Sequence, residues 1–537
     1  MRAQLDYLLR QALATVTANH GPLEPGDLDP QLERARDPRH GDFTSNVAMR
    51  LAQRLGGKPR DLANHIVAAL PSSPLVGSTE VAGAGFINFR LVPAAYHEEL
   101  RKILDDGPAY GCSDFGAGQR VIVEYVSANP TGPLHVGHGR HAAYGASLAS
   151  LLRACGHEVH EEYYVNDAGR QMEILAASVW LRYAQHLGHE LPFPANCYQG
   201  GYVTEIAEGL LREHSQELDG DLADLRKLFA NPVADPEKQL DLTIAEIKSI
   251  LGERGFRLAF DAALDSVLAD IKNDLEEFGV LPQNWYSERS LVDSGAITRT
   301  LEILRANGML YMRDGATWFR ATDFGDEKDR VVVRENGVTT YFASDIAYHF
   351  EKRERGFTQL LDVLGADHHG YVARVRAGLE AMGAPPESLE VRLVQFVTLY
   401  RGNQKMQMST RSGEYVTLRQ LREEVGNDAA RYFYVSRSND QHLDFDLELA
   451  KSQSNDNPVY YIQYAHARVA SMLKRMSDEN LAFGGIAAAD LTRLGEPEEH
   501  ALMVALSRFP EQVGLAALNR APQQIAHFLR DTAAAFH

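Results

Sequence analysis

The chain has few of the features that mark secreted, membrane-bound or strongly basic proteins. Its three cysteines, Cys112, Cys155 and Cys197, are scattered and form no CxxC pair. This spacing argues against a disulfide framework and against a cysteine-ligated zinc site. No run of about 18 apolar residues occurs, so the sequence predicts no membrane span. We therefore expect a protein of the reducing cytoplasm.

An excess of positive charge is also missing. The chain has 54 lysines and arginines against 73 aspartates and glutamates, for a formal net charge of -19. This balance excludes a protein that coats nucleic acid nonspecifically, although a large acidic protein can still carry local basic grooves. The N-terminal segment combines an apolar helical face with charges throughout, and it has no apolar core of a signal peptide.

At 537 residues the chain is too long for one core, and its patterns predict three domains. Residues 1–115 predict a small α+β domain. Residues 116–415 alternate strands and helices, which predicts an α/β fold with a Rossmann-like, doubly wound parallel sheet and helical insertions at about 185–275. Residues 416–537 predict an all-helical bundle. The helical pattern still runs at the last residue without a stop signal, so we expect the bundle to be incomplete at its C-terminus.

The stretch SANPTGPLHVGHGRH follows the predicted first strand of the parallel sheet directly. Its histidines His135 and His138 could ligate a metal, lie in a plain buried turn, or belong to a loop that handles phosphate. No nearby carboxylate or cysteine completes a zinc set. A buried turn does not explain the order of strand, Pro-Gly turn, HxGH and helix. The phosphate hypothesis does, because a helix N-terminus and histidine N–H groups both favour an anion.

The same stretch carries a family resemblance. HVGH at 135–138 matches the HIGH signature of class I aminoacyl-tRNA synthetases, and the longer EYVSANPTGPLHVGHGR resembles the arginyl-tRNA synthetases in particular. Four further stretches are similar to that family, namely GDFTSNVAM, YFASDIAYH, VLGADHHGYV and QMSTRSGEYVTL. The resemblance covers essentially the whole chain.

The resemblance implies an arginine–tRNA ligase used in protein synthesis. Such an enzyme activates L-arginine with ATP to arginyl-adenylate and then transfers the arginyl group to the 3'-terminal adenosine of a tRNA. The implied cofactor set is ATP with Mg²⁺, without a tightly bound metal. We expect a monomer with arginine, ATP and tRNA as its partners and no membrane contact.

Residue roles follow from matching the first motif. His135 and His138 would stabilise the phosphates in the transition state, and Gly137 would leave room for the nucleotide. Asn129 would hold the amino or carboxylate end of arginine. Glu124, at the end of the first strand, would lie near the substrate, unless it is an acid that only bridges groups at the mouth of the sheet.

Tyr341 and Asp345 are four residues apart and share a face if YFASDIAYHF begins a helix. A guanidinium is planar and permanently charged, so it requires a carboxylate and a flat neighbour. The resemblance implies the same assignment, with both residues binding arginine. The alternative is an ordinary surface aspartate beside a core tyrosine.

GADHHG follows an apolar strand, at the place where open α/β sheets bind ligands. The expected ATP contacts in it are Gly365, Asp367 and His368. Its adjacent histidine pair could instead belong to a metal site.

QMSTR stands where class I enzymes have KMSKS, and both lysines are absent. Arginyl-tRNA synthetases commonly show such a degenerate form. Met408 is expected to contact ATP, and Ser409 and Arg411 are expected to act in catalysis. Three residues remain candidates for the cation that contacts the leaving pyrophosphate, namely Arg411, Lys405 and Arg120.

The helical segment resembles the anticodon-binding domain of the family. Its stretch NPVYYIQYAHARV offers Tyr460, Tyr464 and Arg468, which suit base stacking and phosphate contact. Tyrosines at helical spacing are more often core residues, so that alternative stays open. By the same resemblance, the N-terminal domain would contact the tRNA elbow.

Two other functions remain as rivals. A smaller HxGH nucleotidyltransferase does not need the helical bundle or the QMSTR stretch. A non-catalytic RNA-binding paralogue would be marked by the loss of His135, His138 or Asp345, and all three are present.

Overall fold

The computed structural model describes residues 1–18, 25–402, 404–406, 415–481 and 484–537. Their contacts define two compact units. One unit contains Met1–Gly111, Ala465–Pro510 and Asp531–His537, and the other contains Cys112–Tyr464 and Glu511–Arg530. None of the helices in these described ranges combines the length and the apolar character needed to cross a membrane.

The first part of the chain folds into four helices and an antiparallel sheet. Its elements are α1 (Arg2–Thr17), β1 (Leu32–Arg34), β2 (Phe43–Ser45), α2 (Val47–Leu55), α3 (Pro59–Ala68), β3 (Val76–Ala82), β4 (Phe86–Leu91) and α4 (Pro93–Asp106). The strands lie in the order β1-β2-β4-β3. Leu5, Leu9 and Leu13 form the buried face of α1, as its apolar spacing predicts. The predicted small α+β fold is confirmed.

The second unit begins with β5 (Arg120–Glu124). The elements that follow it, up to the strand β7, are α5 (Val136–Ala154), β6 (Glu158–Val165), α6 (Arg170–His186), α7 (Gly201–His214), α8 (Ala223–Ala230), α9 (Pro236–Glu277) and β7 (Asn284–Ser287). They are followed by α10 (Arg289–Asp293), α11 (Ala296–Ala306), β8 (Leu310–Arg313), β9 (Ala316–Phe319), β10 (Arg330–Val333), α12 (Tyr341–Glu354), β11 (Gln359–Gly365), α13 (His369–Ala381) and β12 (Leu389–Val394).

Five of these strands form one parallel sheet in the order β12-β11-β5-β6-β7. The chain leaves β5 for β6 and β7 on one side and returns to β11 and β12 on the other. The strand order therefore reverses at β5, with later strands added on both sides of it. Such a reversal opens a crevice at the carboxyl ends of the strands. The predicted doubly wound sheet is confirmed.

Helices α7, α8 and α9 occupy the region between β6 and β7. Although this region is charged, Leu210, Ile244, Ile247 and Phe260 are buried in the same core as the sheet. Gly252, with φ of 62°, kinks α9. The inserted helices are therefore packed as part of the second unit rather than as a separate body.

The remaining elements of the second unit form a small sheet and short helices. They are β13 (Val397–Arg401), β14 (Gln404–Lys405), α14 (Leu418–Val425), α15 (Asn427–Val435), β15 (Leu443–Asp446) and α16 (Leu447–Lys451). The last four helices are α17 (Pro458–Asp478), α18 (Pro497–Leu506), α19 (Phe509–Leu518) and α20 (Gln523–Phe536). The helical character predicted for this part of the chain is confirmed.

The strand-like stretch LEVRLVQFVTLY is divided at Gln395 and Phe396, between β12 and β13. Arg140 of α5 lies against this break with 1% of its surface exposed. Its guanidinium donates hydrogen bonds to the carbonyls of Gln395 at 2.8 Å, Gln441 at 2.8 Å and Ser438 at 2.9 Å. Burial lowers the pKa of Arg140 to about 10. Because a buried cation is tolerated only when its donors are satisfied, these carbonyls hold the break beside α5.

Glycines let α5 lie close to its neighbours. A Cβ atom at Gly145 would be 2.3 Å from Cγ of Tyr125, and one at Gly139 would be 2.7 Å from Leu418 and 2.8 Å from Tyr434. The helix that follows the HVGH stretch is thus held tightly against the end of β5 and against α14 and α15.

We predict that Gly145→Ala destabilises the fold by about 1–3 kcal/mol, because the methyl group would overlap the Tyr125 ring. The matched control is Gly209→Ala in α7, where the nearest atom is 3.7 Å away. There the change should stabilise by about 1 kcal/mol, as alanine does in an open helix position. Urea unfolding midpoints measure both. A Gly145→Ala midpoint at or above that of wild type contradicts the packing argument.

Candidate active site

A cavity of about 890 Å³ opens at the carboxyl ends of β5, β6, β11 and β12. This is the position at which open α/β sheets take ligands, and its size suits a nucleotide with a small second substrate. Nine of the residues singled out from the sequence line it, namely Glu124, Asn129, His135, Gly137, His138, Asp345, Gly365, Asp367 and His368.

Several other predicted residues lie elsewhere. Tyr341 is the first residue of α12, is 62% exposed and does not line the cavity. Its hydroxyl lies beside Gly169. Arg120 lies at the amino end of β5, opposite the cavity, where it pairs with Glu158 at 2.9 Å. The suggestion that Arg120 contacts the pyrophosphate is therefore wrong, because the whole length of the strand separates it from the cavity. Met408, Ser409 and Arg411 lie outside the described residues.

The residues expected to bind tRNA lie on α17. The rings of Tyr460 and Tyr464 are parallel, with centroids 6.1 Å apart, and Tyr464 is 47% exposed. Further along the helix, Arg468 lies over the ring of Phe536 at 5.3 Å and donates a hydrogen bond to Nδ1 of His537 at 3.0 Å. The tyrosines are thus not closed off in a core, whereas Arg468 is engaged with the end of the chain.

His135 and His138 together cap the N-terminus of α5. Nδ1 of His135 accepts hydrogen bonds from the backbone N–H groups of Gly137 at 3.0 Å and His138 at 3.4 Å. In return, Nδ1 of His138 accepts from the backbone N–H of His135 at 3.3 Å. The two rings stack with centroids 3.6 Å apart. This is a capping box built from two imidazoles, since each side chain satisfies a free backbone donor of the first turn.

The capping geometry fixes which ring nitrogens can act on a ligand. An Nδ1 atom that accepts from the backbone carries no proton, so the proton of each neutral ring lies on Nε2. Burial lowers the pKa of both His135 and His138, which keeps the rings neutral. His141, one turn further along α5, also lines the cavity, and burial lowers its pKa to about 4. The helix N-terminus therefore presents neutral N–H donors to the cavity.

The opposite side of the cavity contains a buried charge cluster. Nζ of Lys352 donates to Oε2 of Glu124 at 2.5 Å and to Oδ1 of Asp362 at 3.0 Å. His349 bonds the second oxygen of Asp362 through Nε2 at 2.7 Å and the carbonyl of Asp345 through Nδ1 at 2.8 Å. Both nitrogens of His349 face acceptors, so the ring is an imidazolium.

The pKa directions agree with this assignment. Burial alone would lower the pKa of His349, but the carboxylate of Asp362 raises it above its usual value. Burial likewise opposes the charge of Lys352, but Asp362 and Glu124 raise its pKa. Glu124, His349 and Asp362 present ligand atoms within 4.8 Å of one another, a spacing that could hold a metal ion. The Lys352 ammonium bonds two of these groups and supplies the positive charge that a metal would otherwise provide.

Asp345 lines the cavity beside this cluster, where burial raises the pKa of its carboxyl more than the charge of His349 lowers it. Among the described residues no cation forms an ion pair with its carboxylate. Burial raises the pKa of Asp345 to about 6. Glu288 is in the same situation, since burial and the neighbouring charge of Asp345 raise its pKa to about 7. This end of the site favours a cationic ligand.

Sequence reasoning missed the residues that support Asp345. Tyr348, His349 and Lys352 follow it at spacings of three, four and seven, so all lie on one face of α12. Tyr348 is buried and its hydroxyl lies 2.9 Å from Glu124 and 2.8 Å from Glu162. Polar residues at a helical period in an otherwise apolar segment were the available signal.

Three family patterns match this chain in succession. Residues 3–91 match the arginyl tRNA synthetase N terminal domain, residues 99–196 and 265–454 match the catalytic domain of class I (R) tRNA synthetases, and residues 462–537 match the DALR anticodon binding domain. The match to the catalytic domain leaves out residues 197–264, which hold α7, α8 and most of α9.

Individual relatives agree along the full length. The arginine–tRNA ligase of Thioalkalivibrio sulfidiphilus is 55% identical over 545 residues, which cover 100% of this chain and 92% of the relative. That of Coxiella burnetii is 50% identical over 543 residues, covering 100% and 91%. The solved arginyl-tRNA synthetases of Thermus thermophilus (23% identical, TM-score 0.72) and Plasmodium falciparum (14% identical, TM-score 0.69) share the fold, each covering 100% of this chain and 91% of the other.

We predict that Lys352→Met destabilises the protein by about 3–5 kcal/mol, because two buried carboxylates would lose their shared cation. The matched control is Lys248→Met, which removes an ion pair with Glu173 whose members are 40% and 36% exposed. That pair should contribute about 0–1 kcal/mol. Urea unfolding midpoints compare the two variants. Equal shifts for both would show that the buried cluster is not held by Lys352.

Proposed function

This chain belongs to the arginyl-tRNA synthetase family and is an arginine–tRNA ligase, and we propose that the cavity at the end of β5 is where it joins arginine to ATP. One observation carries the proposal. The cavity has on one side the carboxyl of Asp345, which forms no ion pair among the described residues, and on the other the neutral N–H donors of His135 and His138. The first suits a guanidinium, and the second suits phosphate oxygens.

Charge balance supports the position of the arginine side chain. Three carboxylates around the site are already matched by three cations, in the pairs Glu124–Lys352, Asp362–His349 and Glu162–Arg355. Asp345 adds a fourth negative charge, which the guanidinium of the substrate neutralises. Asn129, on the loop after β5, then holds the amino or carboxylate end of arginine. Tyr341, which lies outside the cavity, would reach the substrate only after a movement of the start of α12.

The nucleotide binds on the side of the cavity opposite Asp345. Its phosphates lie against the N-terminus of α5, where Nε2 of His135 and of His138 donate to oxygens that gain charge during the reaction. Gly137 leaves the first turn open. Gly365 at the end of β11, together with Asp367 and His368 just after it, contacts the rest of the nucleotide.

The chemical step requires positioning rather than a side-chain nucleophile. A carboxylate oxygen of arginine forms a bond to the α-phosphorus, and the bond from that phosphorus to the bridging oxygen of pyrophosphate breaks. Mg²⁺ arrives as the ATP complex and takes most of its ligands from phosphates and water. The Asp367 carboxylate, which lines the cavity, is an oxygen donor of the kind that Mg²⁺ binds.

Met408, Ser409 and Arg411 are proposed to complete the phosphate side. The support is the position of the chain that follows them. Thr417 forms a β-bridge with His135, and the N–H of Leu418 donates to the carbonyl of Leu134 at 2.8 Å. The described chain at Thr417 and Leu418, six and seven residues after Arg411, therefore lies beside the HVGH stretch.

The tRNA is proposed to be bound by the segments flanking the catalytic domain. The proposed division is 1–115, 116–415 and 416–537, which has the same order as the matched family patterns at 3–91, 99–454 and 462–537. Tyr460 and Tyr464 offer parallel rings for base stacking, and Arg468 offers a cation. We place the enzyme in the cytoplasm as a monomer. Its free cysteines suit a reducing compartment, and one chain supplies all the lining residues of the cavity.

Exchange of labelled pyrophosphate into ATP tests the proposed function, with arginine or lysine as the amino acid and with or without total tRNA. We expect exchange with arginine and none with lysine, because the site is built for a flat, forked cation. The family resemblance implies that the exchange needs tRNA. Exchange with lysine at the same rate would contradict the proposed arginine site.

We predict that Asp345→Asn weakens arginine binding by about 2–4 kcal/mol, because the substrate guanidinium loses its charged partner. The pKa of Asp345, about 6, adds a pH test. As the pH falls through 6 the wild-type carboxylate gains a proton and loses its charge, so arginine affinity should fall, whereas Asp345→Asn should lack this dependence. Calorimetric titration with arginine from pH 5 to 8 measures both. Equal affinities at all pH values would exclude Asp345 as the guanidinium partner.

We predict that His138→Ala lowers kcat for pyrophosphate exchange by about 10²–10³, since it removes an N–H donor to charge that develops in the transition state. His160→Ala serves as the control, because His160 belongs to β6 and does not line the cavity. Near wild-type turnover in His138→Ala would show that the HVGH stretch only caps α5 and does not act in catalysis.

A further inference from the structure

The loop that joins β5 to the HVGH stretch, residues 125–135, is backbone-strained. Val126 has φ of 68° and Ser127 has φ of 41°, in a region that non-glycine residues and especially β-branched ones avoid. Such a conformation persists only where surrounding contacts impose it. The loop carries Asn129 and ends at His135, so the contacts that impose its shape also set the distance between the two sides of the cavity.

Three tyrosine hydroxyls hold the carbonyls of this loop. Tyr163 of β6 donates to the carbonyl of Ala128 at 2.9 Å, and Tyr202 of α7 donates to that of Thr131 at 2.5 Å. Tyr415, just before α14, makes a longer contact with the carbonyl of Pro133 at 3.4 Å. The three donors come from three separate parts of the second unit, so the loop is fixed from three directions.

Tyr202 is the contact that comes from the inserted helices. It lies within residues 197–264, which the catalytic-domain pattern does not match. A Cβ atom at Gly132 would be 2.9 Å from its hydroxyl oxygen, so the loop fits closely around the tyrosine. The hydroxyl of the neighbouring Tyr198 donates instead to Oε1 of Gln171 at 2.6 Å. Tyr202 is thus the tyrosine of the insertion that bonds this loop.

Thr131 links this contact to Asn129, a proposed substrate-binding residue. Its backbone N–H donates to the carbonyl of Asn129 at 2.7 Å, so the two residues form one tight turn. A shift of Thr131 therefore moves Asn129 on one side and the entry to α5, with His135, on the other.

We infer that Tyr202 is a positioning residue for adenylate formation, through which the inserted helices hold the loop at 125–135 in its reactive shape. The inference rests on the proposed function, because it assigns Asn129 and His135 to the two substrates. The hydroxyl itself touches neither substrate. It acts by keeping the arginine carboxylate and the α-phosphate aligned, and an alignment error of about 1 Å is enough to slow such a reaction strongly.

The test is Tyr202→Phe, which removes one hydroxyl and keeps the ring that packs against Gly132. We expect kcat for arginine-dependent pyrophosphate exchange to fall about 10-fold, the scale of one lost hydrogen bond in a positioning network. The KM for arginine should rise less than kcat falls, since Asp345, the proposed guanidinium partner, lies on α12 and only the contact of Asn129 with arginine lies on the loop. A purely structural role would not separate kcat from KM in this way.

Tyr183→Phe is the matched control. Tyr183 of α6 also donates to a backbone carbonyl at 2.5 Å, that of Ser215 at the end of α7, and it does not line the cavity. The variant removes the same kind of bond from the same inserted region. We expect it to lower the thermal unfolding midpoint at least as much as Tyr202→Phe while keeping the wild-type kcat.

Two results would overturn the inference. One is a Tyr202→Phe enzyme with wild-type kcat, and the other is an equal loss of kcat in Tyr183→Phe, which would indicate general loosening of the insertion. Failure of the proposed function is distinguished in the same assay. If His138→Ala keeps wild-type turnover, the assignment of the HVGH stretch fails whatever Tyr202→Phe does.

Discussion

The ammonium of Lys352, placed between Glu124 and Asp362, is the interaction on which the site depends most. It joins the end of β5, one face of α12 and the middle of β11 in a region without solvent. Each carboxylate would be costly to bury alone, and the lysine would be costly to bury without both. The three elements that form the crevice are therefore held together by groups that are stable only jointly. Beside this cluster, Asp345 lines the cavity with no ion pair among the described residues.

The fold was largely predictable because its signals are local. Short apolar strands alternating with helices predicted the doubly wound sheet, and β5, α5 and β6 follow that pattern closely. The stretch 389–400 contains a feature that the local pattern does not indicate. Its apolar pattern continues through Gln395 and Phe396, whereas the break there is imposed by the guanidinium of Arg140 from a helix about 250 residues earlier in the chain. A tertiary contact of this kind leaves no mark in the local pattern.

The candidate site, too, could be predicted from the sequence only in part. His135, His138 and Asp345 belong to recognisable motifs, and the structure brings them to one cavity. Tyr341 shares the helical face of Asp345 but begins the helix, so its spacing alone could not place it inside. Lys352 and Tyr202 could not be predicted from motifs, since their roles depend on partners that only the folded chain brings close. Ligand-binding residues that belong to known motifs can be predicted from a sequence, whereas residues that position other residues cannot.

The imidazole capping box has a consequence for the kind of chemistry this cavity can perform. Nδ1 of His135 and of His138 is committed to the backbone of α5, so neither ring can pick up a proton without releasing the helix that it caps. A histidine pair of this kind cannot relay protons as the imidazoles of hydrolases do. It can only donate a fixed hydrogen bond. Attack by a carboxylate that is already ionised needs no proton removed, so the helix cap suits adenylate formation, whereas the proton that the tRNA hydroxyl loses in the transfer step must go to a group other than these two rings.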